Sequence, residues 1–430
     1  MTKARVRKAD RSQLRWDMVD LDSQLPLGHR ARIVWAFVEC LDLEDLYASV
    51  CAREGVAGRP AADPAILLAV WLYATLEGVG SARQVDRLCV SDTAYRWLCG
   101  GVTMNYHGLS DFRVGHGDVL DRLLTETVTA LVVEGLASLD EIAIDGTKVK
   151  ASAGRGSFRR TGTVDRVAQE AHDRVQRLKA EVQDDPAASE NRRQAAVRRA
   201  AEDVERRAQA AQRALDKLRA ETQARKKKHK KAAEKKVGEE RASLTDAEAR
   251  LMRFADGAVR AGYNVQLAVT TDKAFIVGAS VTDRRNDTGL AGPMIDQIER
   301  RFAITPKRVL VDSRYATQAD IVTLAKKEVT VYAPVPQDKP TTKPENVRKR
   351  KQNRRDAPQA LQAWRARMAS PEGQETYGRR KRIETVNGIL KGRAMGVLQI
   401  RSIAKAQCVA TLHALAHNLW RAHGLRTAAA

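Results

Sequence analysis

The chain has 430 residues, of which 75 are Lys or Arg and 53 are Asp or Glu, giving a formal net charge of +22 at pH 7. Such an excess selects a polyanionic partner, nucleic acid ahead of an anionic membrane surface. A 43% hydrophobic share with only 5% aromatics allows a core built mainly from aliphatic side chains.

The N-terminal stretch MTKARVRKADRSQLRWDM has no apolar segment of the kind a secretory signal needs. The longest apolar run, Ala65 to Leu76, falls short of the roughly 20 residues that span a bilayer and reads as a buried helix. Five cysteines, an odd number without a Cys-x-x-Cys pair, argue against a disulfide framework or a zinc ribbon and fit a reducing cytoplasm.

Residues 1–135 read as helical. Pro64 opens the apolar helix, Ser81 is a plausible N-cap for the next, and Gly100–Gly101 stop it. Another amphipathic helix starts near Asp118. Short helices joined by tight turns are compatible with a helix-turn-helix and equally with a plain bundle. From Leu139 the sequence LDEIAIDGTKVKA alternates apolar and polar residues, predicting a strand that turns at Asp145–Gly146. YNVQLAVTT from Tyr263 and AFIVGASVT from Ala274 form a hairpin across Thr271-Asp272-Lys273. Helices are expected over 288–302 and 317–327, and strands at KRVLVDS from Lys307 and EVTVYAPV from Glu328. Together these make an α/β sheet of mixed direction.

Between the first strand and the hairpin lie about 100 residues whose apolar positions step in threes and fours: Val164, Val167, Ala171, Val175, Leu178, then Val197, Ala201, Val204, Ala208, Ala211, Leu215. With Pro186 between the two arms, this predicts an antiparallel helical hairpin. The basic run ARKKKHKKAAEKK from Ala224 fits either a phosphate grip or a solvated arm. Most of the positive excess lies in two segments: 24 basic against 15 acidic residues over 151–240, and 15 against 5 over 341–400.

Three carboxylates are candidates for chemistry. Asp145 and Asp312 stand at the carboxyl ends of apolar strands, where ligand sites of open α/β sheets form. Glu384 lies in YGRRKRIETVNGILKGRAMG. There Tyr377, Arg380, Glu384, Gly388 and Lys391 are spaced to share one helix face, beside an apolar stripe of Ile383, Val386 and Leu390. Three converging carboxylates repel one another and need a cation. Hard oxygen ligands suit Mg²⁺, with Mn²⁺ as a substitute, and two such ions can serve phosphoryl transfer on DNA. Asn286 and Asp287 follow a strand and fit either support of that site or, ahead of it, a turn or N-cap role. His107 is a turn histidine or a DNA contact.

The layout resembles the bacterial insertion-sequence transposases of the DDE type. GRPAADPAILLAVWLYATLEGVGSARQVDRLC is similar to their N-terminal helical region. AIDGTKVKA and VLVDSRYA resemble the segments of the first and second catalytic Asp. Tyr377, Arg380, Glu384 and Lys391 match the family's Tyr–Arg–Glu–Lys spacing. One departure is Arg314, where the family commonly has Gly.

The resemblance implies a mixed α/β, or α+β, fold: a ribonuclease H-like catalytic domain over 136–157 and 245–425, an N-terminal helical, DNA-binding domain over 1–135, and a basic helical-hairpin insertion over 158–244. It further implies that Asp145, Asp312 and Glu384 are catalytic and hold two Mg²⁺ ions, that water hydrolyses the phosphodiester at the element end, and that the freed 3′-hydroxyl attacks target DNA. Tyr377, Arg380 and Lys391 would grip the DNA end, with Lys148, Arg379 and Lys381 beside them. The expected partners are double-stranded DNA, as terminal inverted repeats and target, and a second copy of the chain in a dimer or higher assembly. The expected location is the cytoplasm, on the nucleoid. The competing readings are a catalytically inactive DNA-binding protein and a nuclease without strand transfer.

Overall fold

The computed structural model describes residues 20–52, 60–184, 192–228, 240–313, 315–336 and 344–429. The first part is helical: α1 (Arg30–Glu39), α2 (Glu44–Ala48), α3 (Pro64–Leu76), α4 (Ala82–Ser91), α5 (Thr93–Cys99), α6 (Tyr106–Gly115) and α7 (Gly117–Val133). Asp63 accepts the backbone N–H of Ala65 to start α3, with Pro64 in the first turn, where its missing N–H costs nothing. The α3 helix is buried nearly all round because α1, α5, α6 and a C-terminal helix pack against it. The stretch from Ser81 to Gly100 forms two helices rather than one. Asp92 ends α4 and accepts the N–H groups of Ala94 and Tyr95 to begin α5, which Gly100 stops in the left-handed conformation.

Strand β1 (Glu141–Lys150) begins the sheet. The insertion follows as β2 (Phe158–Arg159), α8 (Thr161–Asp184), α9 (Arg192–Lys228) and β3 (Ala242–Ser243). The two helices pack along each other over a small apolar cluster of Val164, Ala211, Leu215 and Ala242. Pro186 and most of the basic run after Lys228 lie outside the described residues.

The chain then returns through β4 (Arg250–Arg253), β5 (Val259–Thr270), β6 (Ile276–Thr282), α10 (Ala291–Phe302), β7 (Arg308–Leu310), α11 (Gln318–Lys326) and β8 (Thr330–Tyr332). The sheet order is β4-β5-β1-β7-β8, with β6 also paired to β5 on the edge that β4 uses. The β1–β5 pair is antiparallel, while β1–β7 and β7–β8 are parallel. It is thus a mixed sheet, as the alternation of patterns predicts.

Helices α12 (Pro344–Arg355), α13 (Gln359–Ala369), α14 (Pro371–Gly378) and α15 (Lys381–Leu390), a π-type turn at Lys391–Met395, and α16 (Ile403–Ala429) complete the chain. The α16 helix has no clear period in the sequence because it is buried on almost every side, against α3, α6, α7 and β6. Asn418 on α16 substitutes for a neighbouring strand: its amide accepts the N–H of Ile276 (2.8 Å) and donates to the carbonyl of the same residue (2.8 Å). The apolar core runs unbroken from the first seven helices through α16 into the sheet. No helix among the described residues is long and apolar enough to cross a membrane.

Candidate active site

β1 does not turn at Asp145–Gly146. It runs on to Lys150, because β5 pairs with it from Ile142 to Lys150. β7 pairs with β1 only from Glu141 to Ala143. Asp145 therefore sits just past the point where the two parallel strands part, and Asp312, two residues beyond β7, sits in the loop leaving the same point. Glu384 arrives on α15, which packs on β1 and β5.

These elements converge on a guanidinium. Arg380 donates to Asp145 Oδ1 at 2.9 Å through Nη2 and to Glu384 Oε1 at 2.7 Å through Nη1. Asn387 donates to the other Asp145 oxygen at 2.9 Å. Burial pushes the Asp145 carboxyl above the ordinary aspartate range; Arg380 pulls it down and Asp287 pushes it up again. Burial also works against the Arg380 charge, but Asp145, then Tyr377, Glu384 and Asp312, more than restore it. The ion pair thus secures the guanidinium without bringing Asp145 back to normal, because the aspartate also bears its burial and a second carboxylate. Tyr377 is half-buried, its hydroxyl pushed up first by burial and then by Asp312, Glu384 and Asp145 against the pull of Arg380.

The single helix face expected over 377–391 is not formed. Tyr377 lies in the last turn of α14, Arg380 is the N-cap of α15, and Lys391 opens a turn in which Arg393 and Ala394 leave helical geometry. The break has a local contribution and a distant one. Gly378 is a poor helix former, and the next residue, Arg379, makes a bidentate pair with Glu141 at the start of β1, both contacts at 2.7 Å.

The structure therefore gathers Asp145, Asp312, Glu384, Tyr377 and Arg380. Arg379 is engaged by Glu141, and Lys148 donates to the Arg253 carbonyl (2.7 Å) on the sheet face opposite Asp145. Lys381 and Lys391 are exposed nearby in the chain, and Arg314 lies outside the described residues. His107, also exposed, lies in the first turn of α6 against Tyr106, and Asn286 is exposed.

Sequence reasoning missed Asn387, Asn264, Gln266 and Tyr315. Asp287 does not cap a helix with its side chain. Its Oδ1 accepts from Asn264 Nδ2 (2.7 Å) and Gln266 Nε2 (2.9 Å) on β5, and the hydroxyl of Tyr315 donates to Gln266 Oε1. A usable signal existed: Asn264 and Gln266 alternate with apolar residues in YNVQLAV, two buried amides on one face of a central strand.

Among the described residues, no three His, Cys, Asp or Glu side chains stand close enough together to hold one ion. The chemistry of the side chains, though not their present spacing, is that of ligands to a hard divalent cation. The donors are carboxylate oxygens, and a positive guanidinium already lies between two of them as a stand-in.

In comparison with known families, residues 240–419 match the family described as Transposase DDE domain, and residues 19–114 match Transposase domain (DUF772). No curated protein and no solved structure matches the chain.

Proposed function

Because the chain belongs to the insertion-sequence transposases of the DDE type, we propose that it cuts the ends of its element and joins them to target DNA, using Asp145, Asp312 and Glu384. The observation that carries this reading is the convergence of carboxylates from β1, the post-β7 loop and α15 around Arg380. The strand order, three antiparallel strands followed by two parallel ones, supports a ribonuclease H-like catalytic core. The helices before β1 and the α8–α9 hairpin are then the N-terminal DNA-binding and inserted domains.

DDE domains generally use a divalent metal, and here Asp145, Asp312 and Glu384 would hold Mg²⁺ or Mn²⁺. The bound ion supplies Lewis acidity that eases attack on phosphorus and departure of the leaving oxygen. The remaining work falls to the chain. Asn387 fixes the Asp145 carboxylate in one orientation. Arg380, once its carboxylates have another cation, turns its planar fork to a phosphate of the DNA end. Tyr377 packs beside it, and Lys381 and Lys391 add charge that positions the backbone without reading sequence. Arg379 and Lys148, both engaged within the chain, contribute to DNA binding only if released. Both element ends must be brought together, which calls for a dimer or larger assembly on DNA.

The test is Mg²⁺-dependent nicking and joining of DNA carrying the gene's own flanking ends, by the parent and by Glu384→Gln. The parent nicks and joins, while the variant binds the same DNA and does neither. If both bind and neither cuts, the protein is a DNA-binding protein without catalysis. If the variant cuts as well as the parent, Glu384 has no part in the chemistry.

A further inference from the structure

Gly146 has no side chain, and the structure explains why. A Cβ there would collide with the Asp287 carboxylate and the Gln266 amide. Gly146 pairs directly with Gln266 across the β1–β5 ladder, so the two share a sheet face. Asp145, one residue earlier, faces the other way, toward Arg380 and Asn387. Asp287 therefore lies against the reverse of the strand segment that presents Asp145.

The contacts continue from there. Asp287 accepts from Asn264 and Gln266. Gln266 accepts from the buried hydroxyl of Tyr315. Tyr315 in turn closes the loop that carries Asp312, since its N–H donates to the Asp312 carbonyl (3.0 Å) and its own carbonyl accepts from Gly289 (3.2 Å), two residues past Asp287. One hydrogen-bonded path thus joins the back of the Asp145 strand to the Asp312 loop.

We infer that Asp287 is a positioning residue which, through Gln266 and Tyr315, fixes the placement of Asp312 relative to Asp145. The inference rests on the reading that these two aspartates hold a divalent ion. Asp287 acts from behind the strand and through other groups. Its removal loosens the ion-binding pair, whereas the surface that contacts DNA stays as it is.

The measurement is Mn²⁺ binding to the full-length protein without DNA, followed by electron paramagnetic resonance titration, with thermal unfolding as a control for folding. Removing groups that orient metal ligands commonly weakens metal binding ten- to a hundredfold. Asp287→Ala is expected to weaken Mn²⁺ binding at least about tenfold. Tyr315→Phe, which removes no charge and leaves Asp287 in place, is expected to weaken it several-fold. The double variant is no weaker than Asp287→Ala alone, because both substitutions cut one path.

A folded Asp287→Ala or Tyr315→Phe protein that binds Mn²⁺ like the parent overturns the inference, as do losses that multiply in the double variant. If Asp287→Ala does not fold, Tyr315→Phe decides alone. A parent that binds no Mn²⁺ removes the metal reading itself, and the inference with it. A parent that binds beside unaffected variants removes only the inference.

Discussion

Asp145 is held by two donors, yet its carboxyl remains harder to ionise than a free aspartate, because burial and the nearby Asp287 charge outweigh Arg380. An acid whose pKa is higher in the folded state than in the unfolded one binds its proton more tightly when folded. Its contribution to stability is fullest below the ordinary aspartate value of 3.8 and is lost as pH rises through the folded value. Asp145→Asn, which resembles the protonated acid in size and charge, is therefore expected to raise the melting temperature at pH 7. That gain should shrink as the pH is lowered toward 3.8. Thermal unfolding of both proteins across this range checks it. A melting temperature lowered at pH 7 would mean that the Arg380 pair outweighs burial. Such a stabilising loss of a charged group is typical of a site shaped for chemistry rather than for folding.

At the scale of elements, the junction between α14 and α15 decides how Arg380 meets β1. Glu141 is partly buried at the head of that strand and accepts two bonds from Arg379, one from Thr271 and an ion pair from Arg308 (3.3 Å). Burial pushes its carboxyl up, but these partners prevail and hold it below the ordinary glutamate range. Its contribution to stability is thus present above the ordinary pKa and is lost as pH falls through the depressed one. Glu141→Gln keeps the size and weakens the clamp. Because Arg379 is partly exposed and screened, the cost is expected to be about 1–2 kcal/mol, read as a lowered urea midpoint at neutral pH. A change below about 0.5 kcal/mol would mean that Arg379 is held chiefly by its helix. The insertion is tied to the sheet by a second small cluster, with Asp283 at the end of β6 accepting from Arg250 (2.8 Å) and from Lys217 on α9 (3.1 Å).

At the scale of the whole molecule, α16 packs against both the early helices and the sheet, so the two regions share one core. Leu415 lies fully buried on that helix. Leu415→Ala is expected to cost about 2–5 kcal/mol and to lower the unfolding of the helices and the sheet together. Differential scanning calorimetry reads this as one shifted transition for both regions. A variant in which the sheet melts early while the helices melt like the parent's would show that the core is not energetically continuous.

The sequence by itself determined the alternation of helices and strands, the hairpin of β5 and β6, the helical pair of the insertion, and the position of Asp312 just past a strand end. These depend on periods of two and of three to four residues, on a cap such as Ser81, and on the punctuation of Pro64 and Gly100, all of which act within a few residues. It did not determine that β1 runs straight through Gly146, since a Gly that admits a distant carboxylate looks like a Gly that turns. Nor did it separate α14 from α15, because the break depends on Arg379 reaching Glu141, 238 residues away. The α16 helix was obscure for the opposite reason: burial on almost every side removes the polar face from which a period is read. The setting of Asp145, between Arg380 and Asn387 on one side of the strand and Asp287 on the other, joins residues from three distant parts of the chain. Only tertiary structure could decide it, because which charges share a buried space is fixed by packing between elements and not by spacing along them.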